Sequence, residues 1–122
     1  MTPLAGKRVL VLEDEPVVAM LVEDMLIELG CEVVGPAARL EEGMALARDE
    51  PLDLAVLDVN LGPTDSFPVA AILAEKAVPF IFATGYGDRP NPFPAAPIVT
   101  KPYGAHDLYT ALQLATAATS AD

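Results

Sequence analysis

Arg8-Val9-Leu10-Val11-Leu12-Glu13-Asp14 is the stretch from which the fold can be read. A continuous aliphatic and β-branched run with no polar alternation is the pattern of a strand buried on both faces, as in a parallel sheet. The run ends abruptly in acids. Pro16 follows, suited to the first turn of a helix. Val17, Val18, Leu21, Met25, Leu26 and Leu29 then recur at helical spacing, and Gly30 supplies a helix stop.

Outward from this unit the same alternation repeats. Cys31-Glu32-Val33-Val34 reads as a second strand, closed by Gly35-Pro36, and Leu40, Met44, Leu46 and Ala47 give a second helical stripe ending near Pro51. Leu54-Ala55-Val56-Leu57 is a third strand with Asp58 at its carboxyl end. A loop over Gly62-Pro63-Thr64-Asp65-Ser66 and a third helix over about Pro68 to Lys76 come next. Pro79-Phe80-Ile81-Phe82-Ala83 leads to Thr84, and Pro97-Ile98-Val99-Thr100 leads to Lys101. A last helix carries Leu108, Ala111, Leu112 and Ala115 on one face. Between Tyr86 and Ile98, however, stand Pro90, Pro92, Pro94 and Pro97, and proline costs about 3 kcal/mol inside a helix. At most a short turn near Gly87-Asp88-Arg89 fits there. The expectation is an α/β fold: a flavodoxin-like, doubly wound, five-stranded parallel sheet of order 2-1-3-4-5 with an irregular or shortened fourth helix.

Composition supports a single domain over residues 1–122, with 52% hydrophobic and 20% charged residues. The formal net charge of −11 disfavours nucleic acid and anionic membranes, and favours a cation or a basic protein partner. No run is long enough to span a bilayer, and the start has no charged segment followed by an apolar one. The lone Cys31 fits a core position in a reducing cytosol, so a cytoplasmic protein is expected.

In such sheets the working groups lie beyond the carboxyl ends of the strands. Those ends carry Glu13-Asp14, Asp58, Thr84 and Lys101. Taken singly, each has a bland reading as a cap, a loop acid or a surface lysine. Their common placement on successive strands makes one site. Three crowded carboxylates call for neutralisation by a hard divalent cation with oxygen ligands. A carboxylate can attack phosphorus to form an aspartyl phosphate, with the cation and the Lys101 ammonium offsetting charge on the transferring group. Thr84 can donate a hydrogen bond to a phosphoryl oxygen. No general base is expected, because a carboxylate is ordinarily ionised at neutral pH.

With these residues the chain resembles the response regulator receiver family along nearly its whole length. The resemblance implies that Asp58 accepts a phosphoryl group from a histidine kinase or phosphotransfer protein. It implies Mg2+ (or Mn2+) bound by Asp14, Asp58 and the backbone carbonyl of Asn60, with Glu13 acting on the metal through water. Lys101 would pair with Asp58 or its phosphate, Thr84 would sense the phosphoryl group, and the Lys101-Pro102 bond is often cis. Such a protein is a phosphoacceptor with autodephosphorylation chemistry, not an enzyme acting on a separate substrate. Pro79-Phe80-Ile81-Phe82-Ala83-Thr84-Gly85-Tyr86 also resembles the PFxFATG[GY] motif of the FAT GUY receivers, linked to the bacterial general stress response and to kinases of the HWE/HisKA2 type. Two departures stand out. Ile98 occupies the position of the usual switch aromatic, and Gly85 follows Thr84. They point to a switch that works through Thr84, Gly85 and Tyr86, ordering the proline-rich segment.

Other readings fit less well. A haloacid-dehalogenase-like phosphatase would carry its nucleophile after the first strand with a second acid two residues on, whereas Asp58 follows the third and is succeeded by Asn60. Flavin binding would place a phosphate against Glu13-Asp14-Glu15. A non-phosphorylated pseudo-receiver scaffold is the nearest alternative. His106 reads as a surface residue at the start of the last helix, and Tyr86 and Tyr103 as docking or packing residues. The expectation is that no output domain follows, so that output passes through a downstream protein or by draining phosphate from a shared kinase; a monomer is expected. The expected docking face runs from the fourth strand to the last helix.

Overall fold

Alternation along β1 (Arg8–Leu12) builds the molecule. Val9 and Val11 face one side, Leu10 and Leu12 the other, as the two-residue period of a strand requires. The computed structural model of the chain describes residues 4–85, 92–101 and 103–120, the last three by backbone alone. Helices α1 (Pro16–Glu28) and α4 (Ala105–Ser120) cover the face of Val9 and Val11. Helices α2 (Leu40–Asp49) and α3 (Phe67–Glu75) cover the face of Leu10 and Leu12. Strands β2 (Glu32–Ala37), β3 (Leu54–Asp58), β6 (Phe80–Thr84) and β7 (Ile98–Thr100) complete a parallel sheet of order β2-β1-β3-β6-β7. This is the expected 2-1-3-4-5 order, the numbers rising because two short strands intervene. Those are β4 (Asn60–Leu61) and β5 (Thr64–Asp65), an antiparallel ribbon where only a loop was expected. The Gly62-Pro63 turn lets the chain fold back on itself, with Gly62 at φ +65°.

The second strand departs from expectation. It does not stop at Gly35-Pro36 but continues to Ala37 through an irregularity opposite Leu10–Leu12. Proline is tolerated at the edge of a sheet, and β2 is the edge strand. Gly35 has φ +98°, and a Cβ there would sit 2.8 Å from the Ala37 nitrogen, so only glycine passes. The Gly35-Pro36 peptide is cis; the state of Lys101-Pro102 lies outside the described residues.

Helix α1 ends as its sequence suggests. Gly30 (φ +87°) donates to the Ile27 carbonyl and Cys31 to the Leu26 carbonyl, closing the helix in a Schellman turn. Its buried face overlaps the expected one, sharing Val18, Met25, Leu26 and Leu29 with it, but is rotated away from Val17 and Leu21. Ala19, Val22 and Leu26 are buried, with Val18, Met25 and Leu29 half-buried beside them, while Val17 is 65% and Leu21 49% exposed. The helix is apolar nearly all round, so spacing could not select the face. In α4, Leu108, Ala111, Leu112 and Ala115 are buried as expected, and Cys31 lies in the core. Residues 92–97, the described part of the crossover between β6 and β7, contain no helix. The expected turn at Gly87-Asp88-Arg89 lies outside the described residues.

Candidate functional site

Strand register, not local sequence, brings the polar residues together. Asp58 pairs with Ala83, and Thr84 with Thr100. Backbone bonds continue past the strand ends: Glu13 N–H to Ala37 O (2.9 Å), Val59 N–H to Ala83 O (3.0 Å) and Lys101 N–H to Thr84 O (2.8 Å). Glu13, Asp58, Thr84 and Lys101 are thereby held at one edge of the sheet by ladder hydrogen bonds.

The carboxylates of Glu13, Asp14 and Asp58 each have an oxygen within 4.8 Å of the others. Glu13 and Asp58 are only 4% and 5% exposed; Asp14 is half-buried. Lys101 Nζ lies 2.8 Å from Glu13 Oε1, 3.3 Å from Asp58 Oδ2 and 3.5 Å from Glu15 Oε1. The expected Lys101–Asp58 pair is therefore present, but Glu13 holds the ammonium more closely. Burial pushes Asp58 up to about 8, reinforced by the hydrogen bond and charge of Glu13 and opposed by Lys101. Lys101 is lowered by burial, but Glu13 and Asp58 outweigh this and hold it well above the usual lysine range. The expectation that Asp58 is simply ionised at neutral pH thus needs correction. Within the protein's own groups, Asp58 shares one lysine with a second buried acid, and its ionisation depends on further positive charge.

This donor set fits a hard divalent cation. Three carboxylates and one ammonium leave excess negative charge in a buried place, and all the available donors are oxygens. Asp14, Asp58, Asn60, Gly62, Gly85, Glu15 and Lys101 line an opening of about 300 Å³ over the cluster. A Cβ at Gly85 would meet nothing within 4 Å, so packing does not demand glycine there; its missing side chain keeps the approach to Asp58 wide. Thr84 stands one residue beyond the register partner of Asp58. Ile98 is 53% exposed on the edge strand β7, outside the cluster. Tyr86 and Pro102 lie outside the described residues. Two residues were missed by sequence reasoning. Glu15 was legible as the third member of an acidic run. Tyr103, whose hydroxyl is buried and feels the charge of Glu13, carried no signal of its direction.

An acidic, lysine-bearing cluster at the carboxyl ends of a 2-1-3-4-5 sheet defines a class of signalling domains. Residues 9–113 match the response regulator receiver domain, and the chain belongs to that family. Among curated relatives, the transcriptional regulatory protein PdtaR of Mycobacterium tuberculosis is 32% identical over 115 residues, covering 89% of this chain and 56% of PdtaR. The phyllosphere-induced regulator PhyR of Methylorubrum extorquens is 33% identical over 104 residues, covering 78% of this chain and 38% of PhyR. The chain thus spans about half or less of the length of these relatives. The solution structure of SdrG from Sphingomonas melonis Fr1 superposes with a TM-score of 0.81 at 37% identity, over 93% of this chain and 98% of SdrG. No helix among the described residues is long and apolar enough to cross a membrane.

Proposed function

We propose that residues 1–122 form one phosphoacceptor domain, in which Asp58 takes a phosphoryl group from the phosphohistidine of a kinase or phosphotransfer protein. The observation that carries this reading is the burial of Asp58 beside Glu13 and Asp14, with Lys101 at 3.3 Å. An Asp58 carboxylate oxygen attacks phosphorus, the phosphorus–imidazole bond breaks, and the histidine nitrogen leaves with the electron pair. Lys101 reaches the transferring oxygens by a small movement, and the Thr84 hydroxyl donates to one of them. Asp14, Asp58 and the Asn60 carbonyl would hold Mg2+ or Mn2+, with Glu13 acting through water. When bound, the ion supplies the positive charge that favours ionised Asp58 and offsets charge on the phosphoryl group.

The finer reading places the chain with the FAT GUY receivers of the general stress response, served by HWE/HisKA2 kinases. The stretch from Pro79 to Tyr86 supports it, as does similarity to SdrG and PhyR. With Ile98 non-aromatic, the switch works through Thr84, Gly85 and the residues after them. Output passes to a downstream protein across the face of β6, β7 and α4, or the domain acts as a phosphate sink. The test is intact-protein mass after incubation with acetyl phosphate and Mg2+. We expect a gain of one phosphoryl group, abolished by EDTA and by Asp58→Ala. No gain, or a gain retained in Asp58→Ala, would return the chain to the pseudo-receiver scaffold reading.

A further inference from the structure

Tyr103 and Tyr109 share one region of the chain but differ in hydrogen bonding. The Tyr109 hydroxyl accepts a bond from Gln113 Nε2 at 2.9 Å. The Tyr103 hydroxyl is buried and has no partner among the described residues. Native structures rarely leave such a group unpaired, so an orphan hydroxyl points to a partner acquired in another state. Tyr103 is anchored by its ring, which packs against the core on the α1 and α4 side. It shares a cavity of about 390 Å³ with Lys101, Glu15, Gly85 and apolar residues of α1. Burial, reinforced by the charges of Glu13 and Asp58 and opposed by Lys101, pushes its hydroxyl up to about 12.

Glu13 explains what the hydroxyl is for. Its carboxylate is almost wholly buried and takes two interactions of known length, Lys101 at 2.8 Å and the Glu15 amide at 3.1 Å. A phosphoryl group on Asp58 draws Lys101 toward its oxygens and away from Glu13. Glu13 would then lose its closest direct donor while remaining buried, which is costly. We propose that Tyr103 is a positioning residue whose hydroxyl donates to Glu13 when Lys101 turns to the phosphoryl group. This rests on the phosphoacceptor reading of Asp58 and deepens it. Tyr103 adjoins Gly104, whose amide is held by Asp107 Oδ2 at 3.1 Å and whose carbonyl accepts the Leu108 amide at 3.1 Å. The state of Asp58 is thereby relayed to the start of α4 by a route that bypasses Ile98.

The experiment uses the whole chain with Mg2+ and beryllofluoride as phosphoryl mimic. Bound fluoride is followed by fluorine NMR, and Tyr103 by its labelled Cζ carbon, assigned through its loss in Tyr103→Phe. We expect a bound fluorine signal together with a displaced Tyr103 Cζ resonance. We expect Tyr103→Phe to melt no lower than the wild type without ligand, because the lost hydroxyl had no partner, yet to bind beryllofluoride about tenfold more weakly. A purely structural tyrosine would give the reverse pattern. A bound fluorine signal with an unmoved Cζ resonance, or equal affinity in Tyr103→Phe, overturns the inference and leaves the function of Asp58 standing. Absence of bound fluoride overturns both.

Discussion

The two ends of the sheet hold nearly the same inventory of charge and use it differently. At the amino end Arg8 contacts Glu32 and bonds Glu50 at 2.9 Å, while its backbone amide donates to Asp53 at 2.9 Å. At the carboxyl end Lys101 serves Glu13, Asp58 and Glu15. One cation faces three acids in each case. Arg8 and its glutamates are open to water, which screens what the arginine does not neutralise, and no chemistry results. Glu13 and Asp58 are buried, so the same shortfall of positive charge is not screened by water and favours a cation. Burial, not the list of residues, separates a clamp from a site.

The sharpest way to break this contrast is to remove each cation in turn. Lys101→Ala should slow phosphorylation by acetyl phosphate about 100- to 1,000-fold, the scale of losing one preorganised charge at a reacting oxygen. Arg8→Ala should leave that rate within about twofold, a surface-substitution effect. Initial rates from intact mass at saturating Mg2+ would decide. Equal losses would mean that the two ends act as one electrostatic unit.

A smaller effect should appear in stability. Asp58 is raised in the folded protein to about 8 from an ordinary carboxylate value. A raised folded value means that the native state favours the protonated carboxyl. Its contribution is therefore present below about pH 4 and lost as pH rises through about 8. Asp58→Asn escapes this loss. In EDTA it should exceed the wild type by about 1–3 kcal/mol at pH 8.5, with the gap closing toward pH 4. Magnesium should narrow the gap at the upper end by favouring ionised Asp58. Urea unfolding across this range checks it, and a gap independent of pH would contradict the assignment of burial as the cause.

The same distinction explains what could be read from the chain without its structure. Strands β1, β3 and β6 are apolar runs that end in a polar residue, so the sheet and the positions of Glu13, Asp58 and Thr84 follow from pattern alone. Lys101 follows in the same way from β7. What escaped reading depends on contacts between distant segments. The passage of β2 through Gly35-Pro36 needs an edge position, and the buried face of α1 needs to know where the sheet lies. The Asn60–Asp65 ribbon hides in residues typical of any turn. Asp58 reads as an ordinary carboxylate because its high proton affinity comes from burial and from Glu13, 45 residues away in the chain. Tyr103 reads from the sequence as a docking or packing residue and does pack on the core, but its hydroxyl's orphan state is a property of the folded molecule.

The amino end allows the finest test of the comparison. Arg8→Ala should cost about 1 kcal/mol at low salt. The guanidinium makes two kinds of contact that respond differently to ions. Its pairs with Glu32 and Glu50 face water and weaken as the Debye length falls to about 3 Å at 1 M salt. Its Nε also donates to the Pro51 carbonyl at 2.7 Å, joining the start of β1 to the turn before β3, and that bond is little affected by screening. Part of the cost should therefore survive at 1 M NaCl, and Glu50→Gln should lose only the salt-sensitive part. Complete loss of the Arg8→Ala effect in salt would reduce the clamp to surface electrostatics. Persistence of the full effect would mean that backbone bridging is what Arg8 contributes, leaving the carboxyl end as the one place where charge itself is the working element.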